Sequence, residues 1–221
     1  LALERIYNEA IRIEPSCYRH YRSSAISARE CAEMLITIQN EIEKPRTYRK
    51  IFSAAHSSAN KAVELEPNNA ECFYTLAYIQ YFDRNTAIND ALVTLNKALD
   101  IEPGHQWSRL YKAHCLQDLG RYRDAYEAYE NVDKGFFTGY RTWRLEHLLE
   151  AQTYCLYKLD KIKDVETTLS SLLDRWIRNP YSIEQIHGWY IVEMVKDTRV
   201  RRTLFDKALK YFQGTDYDCF A

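Results

Sequence analysis

Six histidines (20, 56, 105, 114, 147 and 187) and six cysteines (17, 31, 72, 115, 155 and 219) are the side chains best able to hold a metal or relay a proton here. Zinc sites need such ligands at short, regular spacing. The sequence holds no C-x-x-C pair, and the histidines stand far apart. They are read as lacking a carboxylate or cysteine at ligand spacing, so no metal and no cofactor is expected. Nucleophilic or phosphate chemistry fares no better: there is no H-E-x-x-H, no G-x-S-x-G and no Gly-rich phosphate loop. The acidic pairs Glu41/Glu43 and Glu64/Glu66 read as solvated helix faces. Catalysis is not expected. Several cysteines fall on helix faces, where a thiol acts as a small hydrophobe, which favours a reduced, cytoplasmic protein.

The elements that must position any functional side chain are helices. Hydrophobic residues are 46% and charged residues 28% of the 221 residues, which describes a globular chain. Six glycines and five prolines are too few for a turn-rich β fold. Lys+Arg at 30 against Asp+Glu at 31 leaves a net charge of −1, which gives no general attraction for nucleic acid or an acidic membrane surface. No apolar run approaches the roughly 20 residues that cross a bilayer. No signal peptide is visible. The chain opens at Leu1 in mid-helical pattern without Met, a start compatible with a leader having been cut from it.

The stretch from Asn69 to Val132 repeats itself. Phe73, Leu76 and Ala77 are followed by Ala91, Leu95, Ala98 and Pro103, and then by Ala113, Leu116, Leu119, Gly120, Tyr122, Ala125, Tyr129 and Val132. Ala98 and Val132 stand 34 positions apart. Around this centre, Leu1–Glu14 reads as a lone helix whose apolar face (Leu3, Ile6, Tyr7, Ala10) wants cover from upstream or from another chain. A long helix from Cys17 to Glu43 should bury Ile26, Cys31, Leu35 and Ile38. Lys44-Pro45 breaks it, because proline lacks the amide donor. Thr47–Glu66 follows, with Ala55, Ala59 and Ala62 inward. The two best hairpins span 70–103, split near Asp83-Arg84-Asn85, and 106–137, split at Leu119–Tyr122 with Gly120 as a left-handed cap. Beyond an irregular segment, 134–142, come Trp143–Leu159 and Ile162–Ile177, with Val165, Leu169 and Leu172 at the alanine and aromatic positions. Pro180 opens a last hairpin, Ser182–Val195 and Thr198–Phe212, marked by Gly188, Phe205 and Ala208.

A period of this size, in units of two amphipathic helices, resembles the tetratricopeptide repeat (TPR), a helix–turn–helix unit that stacks into a solenoid. The resemblance implies an all-α, right-handed α-solenoid of one leading helix and about five hairpins. It would form a single domain over 1–221, regular at 70–103 and 106–137 and divergent at 18–67, 143–177 and 181–213. In that family the first helix of each unit lines the concave surface, so residues three and four apart face one groove. Carried over, this implies a partner-binding face of Glu71, Tyr74, Tyr78 and Tyr81, then Trp107, Leu110, His114 and Gln117. The divergent unit adds His147, Glu150, Tyr154 and Tyr157, and the first long helix adds Arg19, Arg22 and Arg29.

Tyr and Trp give large contact area at low rotamer cost, and arginine forks suit carboxylates. The expected ligand is therefore a protein, as an extended peptide or a helix, with Tyr78 and Trp107 as the main anchors. The same tyrosines could instead simply pack between helices. Repeat proteins that clamp acidic chaperone C-termini are matched only at Arg109 and Lys112. Thr75 stands where Asn is wanted, so that specialisation is not expected. The segment Phe136–Trp143 is either a partner contact or a loop tucked between units. Three competing roles are a targeting module of a larger enzyme, a self-associating assembly subunit, and RNA binding through Arg19–Arg29 and Arg199–Arg202.

Overall fold

In a computed structural model of the chain, residues 2–38, 45–139, 142–178, 198–199, 201–203 and 206 are described. They form an all-α protein of nine α-helices joined by short corners, with one 3-10 turn at Lys134–Phe136 and no strand among them. The chain divides into two compact units, Leu1–Leu119 and Gly120–Ala221. The boundary falls at the turn inside the 106–137 hairpin. The expected hairpin over 181–213, with Gly188, Phe205 and Ala208, lies outside the described residues, as do the side chains of Leu35 and Ile38.

The first unit holds α1 (Ala2–Ile13), α2 (Tyr18–Ile38), α3 (Pro45–Leu65), α4 (Ala70–Phe82), α5 (Ile88–Ile101) and α6 (Gln106–Asp118). Consecutive helices pack as antiparallel neighbours, and α4 also touches both α2 and α6. Pro45, expected only to break a helix, is the first residue of α3, where its missing amide costs nothing.

Three corners are copies of one another. Each begins Glu-Pro, at Glu14-Pro15, Glu66-Pro67 and Glu102-Pro103. In each, the amide three residues after the Glu returns to the Glu carbonyl: Cys17 to Glu14 at 3.1 Å, Asn69 to Glu66 at 3.2 Å and His105 to Glu102 at 3.0 Å. Proline stops the outgoing helix, and this bond turns the chain into the next one. The other kind of turn, between α4 and α5, is tied by Asp83. Its Oδ1 accepts the Asn85 amide at 3.0 Å, while its Oδ2 faces His56 Nε2 of α3 at 3.0 Å.

Methyl-sized contacts run through this unit. Ala25, Ala32, Ala55, Ala59, Ala77, Ala91, Ala98 and Ala113 are fully buried, with Phe52, Leu76, Ile79 and Leu95 filling the spaces beside them. Helix axes approach closely only where side chains are short. On α2 the buried row is Ala25, Arg29 and Ala32, with Ala28 partly buried beside it, whereas Cys31, expected inside, is exposed. Ile26, also expected inside, is half-buried, because the close contacts of this helix fall on Ala25 and Ala32 beside the expected positions. On α1, Tyr7 faces α2, receiving the Ser27 hydroxyl at 3.3 Å, while Ile6 and Ile13 are 61% and 70% exposed.

The second unit holds α7 (Tyr122–Glu130), α8 (Thr142–Lys158) and α9 (Ile162–Arg178). Its core combines Ala125, Tyr129, Val132, Leu148, Leu156, Val165, Leu169 and Leu172. Gly120 has φ +73°, as expected for a left-handed cap. Forty positions on, the corresponding turn places Asp160 at φ +57°. In the 134–142 segment Phe137 is buried and Phe136 half-buried, edge-on to it at 5.2 Å.

Candidate functional site

In the first unit the helices that open each hairpin, α2, α4 and α6, lie side by side. Their common face carries a continuous aromatic row. Trp107 of α6 lies nearly parallel to Tyr74 of α4, with ring centres 6.5 Å apart. Tyr74 meets Tyr78 at 5.7 Å and Tyr111 at 5.8 Å, and Tyr111 meets Tyr78, Tyr81 and His114 at 5.1, 5.5 and 5.5 Å. The three contacts that Tyr111 makes with Tyr78, Tyr81 and His114 are edge-to-face, the arrangement that sets a ring's positive rim against a neighbour's negative face. Tyr74, Tyr78, Tyr81, Trp107, His114 and Gln117 are all half-buried, so their edges reach solvent.

One of the expected contacts on α6 is placed differently. Leu110 is 1% exposed and belongs to the core, not to the face. Tyr111 is the residue of α6 that joins the row, which follows Trp107, Tyr111, His114 and Asp118, with Tyr111 in the place expected for Leu110. Spacing of four, three and four would have found it. The arginines also have other duties. Arg29 is buried, donates to the Tyr78 hydroxyl at 2.5 Å and sits 4.1 Å from the Phe82 ring centre. A guanidinium taken out of water needs such partners. Arg22 donates to Glu71 at 2.6 Å and to Thr75 at 3.1 Å. Only Arg19 of the expected stripe is fully exposed, with its guanidinium 5.9 Å from the Tyr18 ring. The row of arginines offered to partner carboxylates is therefore largely turned inward.

Glu71 ties the three helices at one end of the row. Nδ1 of His105 accepts the Ser108 amide at 3.2 Å, which leaves the ring proton on Nε2, 3.4 Å from Glu71 Oε1. The hydrogen bond to His105, followed by the Arg22 charge, holds the Glu71 carboxyl below its usual value against the opposing effect of burial. At the other end the Tyr81 hydroxyl donates to Asp118 at 2.8 Å. Burial first, and then the Asp118 charge, push the Tyr81 phenol far above its usual range, so it stays a donor. Burial likewise raises the Cys72 thiol to about 11 and the Cys115 thiol to about 12, which leaves both unreactive.

In the second unit Tyr154 stands edge-on to Tyr122 at 6.0 Å, under the Lys158 ammonium at 5.1 Å. Tyr154 and Tyr157 also pack against Leu156 and Val165. His147 lies between Trp143 and Glu150, and Glu150 is buried with Glu146. Gln152 donates to Glu130, linking α8 to α7. The histidines are thus not isolated from carboxylates. His20, His56, His105 and His147 each face one, and His20 is also near Cys17.

Comparison with solved structures matches the chain to MamA 41-end from Desulfovibrio magneticus RS-1 at 16% identity and TM-score 0.58, over 87% of this chain and 97% of that one. Yeast Tom70 matches at 17% identity and TM-score 0.56, over 96% of this chain but 39% of Tom70. Pseudomonas aeruginosa PilF matches at 14% identity and TM-score 0.54, over 86% and 78%. The fold is that of the tetratricopeptide repeat. A family model described as anaphase-promoting complex, cyclosome, subunit 3 matches residues 51–132, from within α3 to just past α7. Curated proteins give no significant match to the sequence. Among the described residues no helix is long and apolar enough to cross a membrane.

Proposed function

We propose that this TPR chain is a non-catalytic, cytoplasmic protein-binding scaffold. A peptide or helix of its partner lies along the face of α2, α4 and α6. The observation that carries this reading is the half-exposed aromatic row from Trp107 through Tyr74 to Tyr78 and Tyr81. Rings locked by one another lose little entropy on binding and present area that a partner can cover. Tyr74 and Trp107 are the anchors. His114, Gln117 and Arg19 supply polar contacts around them, and Tyr154 would serve a contact of the second unit. The matched family model is that of a subunit of a multiprotein complex, which supports a role in holding proteins together.

Affinity capture followed by titration of the captured partner tests this reading. Trp107→Ala should weaken binding by at least about 2 kcal/mol, the scale of an interface anchor. Trp143→Ala, which removes a ring 44% exposed in the second unit, is the matched control and should leave affinity unchanged. Wild-type affinity in Trp107→Ala, with the fold intact by circular dichroism, overturns the proposal. Tyr78 is no longer a clean probe, because its hydroxyl and ring hold Arg29 and Phe82 in place.

A second reading rests on α1. Ile6 and Ile13, seven residues apart and both exposed, would suit self-association. Light scattering over a concentration series tests it, and a strict monomer excludes it.

A further inference from the structure

The corner between α1 and α2 shares its backbone with the two later copies but differs in its side chains. The positions at the Glu and three and six residues on read Glu66, Asn69 and Cys72 in the second corner, and Glu102, His105 and Ser108 in the third. In both, the middle side chain caps the incoming helix: Asn69 Oδ1 accepts the Glu71 amide at 3.0 Å, and His105 Nδ1 the Ser108 amide at 3.2 Å. The first corner reads Glu14, Cys17 and His20. A thiol is a weak acceptor and a poor cap. An exposed His–Glu pair is worth little to stability and has no need of a thiol beside it.

What the first corner does have is convergence. Ligand atoms of Glu14, Cys17 and His20 all lie within 4.8 Å of one another, and His20 Nε2 stands 3.4 Å from Glu14 Oε2. Among the described residues this is the one group of three such side chains. We propose that Glu14, Cys17 and His20 form a binding site for a divalent cation of the zinc class, with a fourth position open to water. A thiolate and an imidazole beside one carboxylate select a borderline-soft, tetrahedral metal over magnesium or calcium, which take oxygen ligands.

Bond lengths of about 2.0–2.3 Å at a tetrahedral zinc put its ligand atoms roughly 3.3–3.6 Å apart. The side chains have only to close by about an ångström. His20 and Glu14, with side chains 30% and 62% exposed, have room to do so. On binding, the Cys17 S–H bond breaks, its proton leaves to solvent, and the sulfur lone pair bonds the metal. The residue that follows α1 is then tied to the first turn of α2.

Cobalt(II) titration of the reduced full chain tests this, because a tetrahedral Co2+–thiolate bond has a sulfur-to-metal charge-transfer band in the near ultraviolet. One equivalent should produce the band, and zinc should displace the cobalt. Cys17→Ser should abolish the band. His20→Ala should weaken affinity by more than about tenfold, since even outer-shell partners cost roughly 10–100-fold. Cys31→Ser, which removes an exposed thiol elsewhere on α2, should change nothing. Absence of the band in the wild-type chain, or its survival in Cys17→Ser, overturns the proposal. So does a band that depends on Cys17 but not on His20, which would mark a bare thiol instead of a built site.

Discussion

The second helix of every described hairpin carries three buried residues spaced four and three apart, and their sizes differ between the two units. In the first unit they are Ala55, Ala59 and Ala62 on α3, then Ala91, Leu95 and Ala98 on α5. In the second they are Ala125, Tyr129 and Val132 from α7, then Val165, Leu169 and Leu172 on α9. All twelve are buried, so the same three points of contact persist while the side chains grow. A methyl at such a point lets the neighbouring helix approach closely, while a Val or Leu holds it off and fills the gap itself. One architecture is thus achieved by close approach in the first unit and by bulk in the second.

The two solutions should fail in opposite ways. Leu169→Ala empties a filled site in the second unit and should cost about 2–5 kcal/mol by urea denaturation. Ala59→Leu overfills a close contact in the first unit, where about 1–3 kcal/mol is expected. A neutral Ala59→Leu would mean that α3 has room to spare, and the contrast between the units would collapse.

The turns differ as well. Gly120 and Asp160 occupy corresponding left-handed positions, but only glycine does so without a penalty. Gly120→Ala should therefore destabilise by about 1–2 kcal/mol even though a Cβ there would meet nothing within 4 Å. Asp160→Gly should stabilise by up to about 1 kcal/mol, and thermal melts of the two variants should move in opposite directions.

The smallest effect is expected at Glu71. Folding holds this carboxyl below its ordinary value of 4.5, so its contribution is complete above that pH and fades as the pH falls through the lower folded value. With 40% of its side chain exposed, solvent screening keeps the contribution modest. The melting-temperature gap between wild type and Glu71→Gln should narrow on acidification from neutral pH, and a gap that widens would contradict the assignment.

Much of the fold was legible because small and large residues alternate at fixed spacing. Ala91, Leu95 and Ala98 announce a buried helix edge, and Gly120 announces a turn, without any knowledge of the neighbours. What was not legible is equally specific. On α6 both Leu110 and Tyr111 are apolar and both are buried, so no contrast between faces told which one joins the aromatic row. On α2, Cys31 and Ala32 are both small and apolar in type, yet only Ala32 is buried. The inward turn of Arg22 and Arg29 depends on Glu71 and Tyr78, each 49 residues away, and no local pattern encodes a partner at that distance. Glu14 meets Cys17 and His20 across a helix break at Pro15, where helical periodicity no longer predicts who faces whom.

Tyr111 stands at the middle of the aromatic row with its ring sealed, touching Tyr74, Tyr78, Tyr81, Phe82 and His114. Sequence drift is confined at such a hub, since any replacement must satisfy five neighbours at once. Trp107 and Gln117, out at the margin, can vary with far less disturbance. On the binding reading proposed above, exchanging one client for another would mean repainting the outer residues over an unchanged foundation.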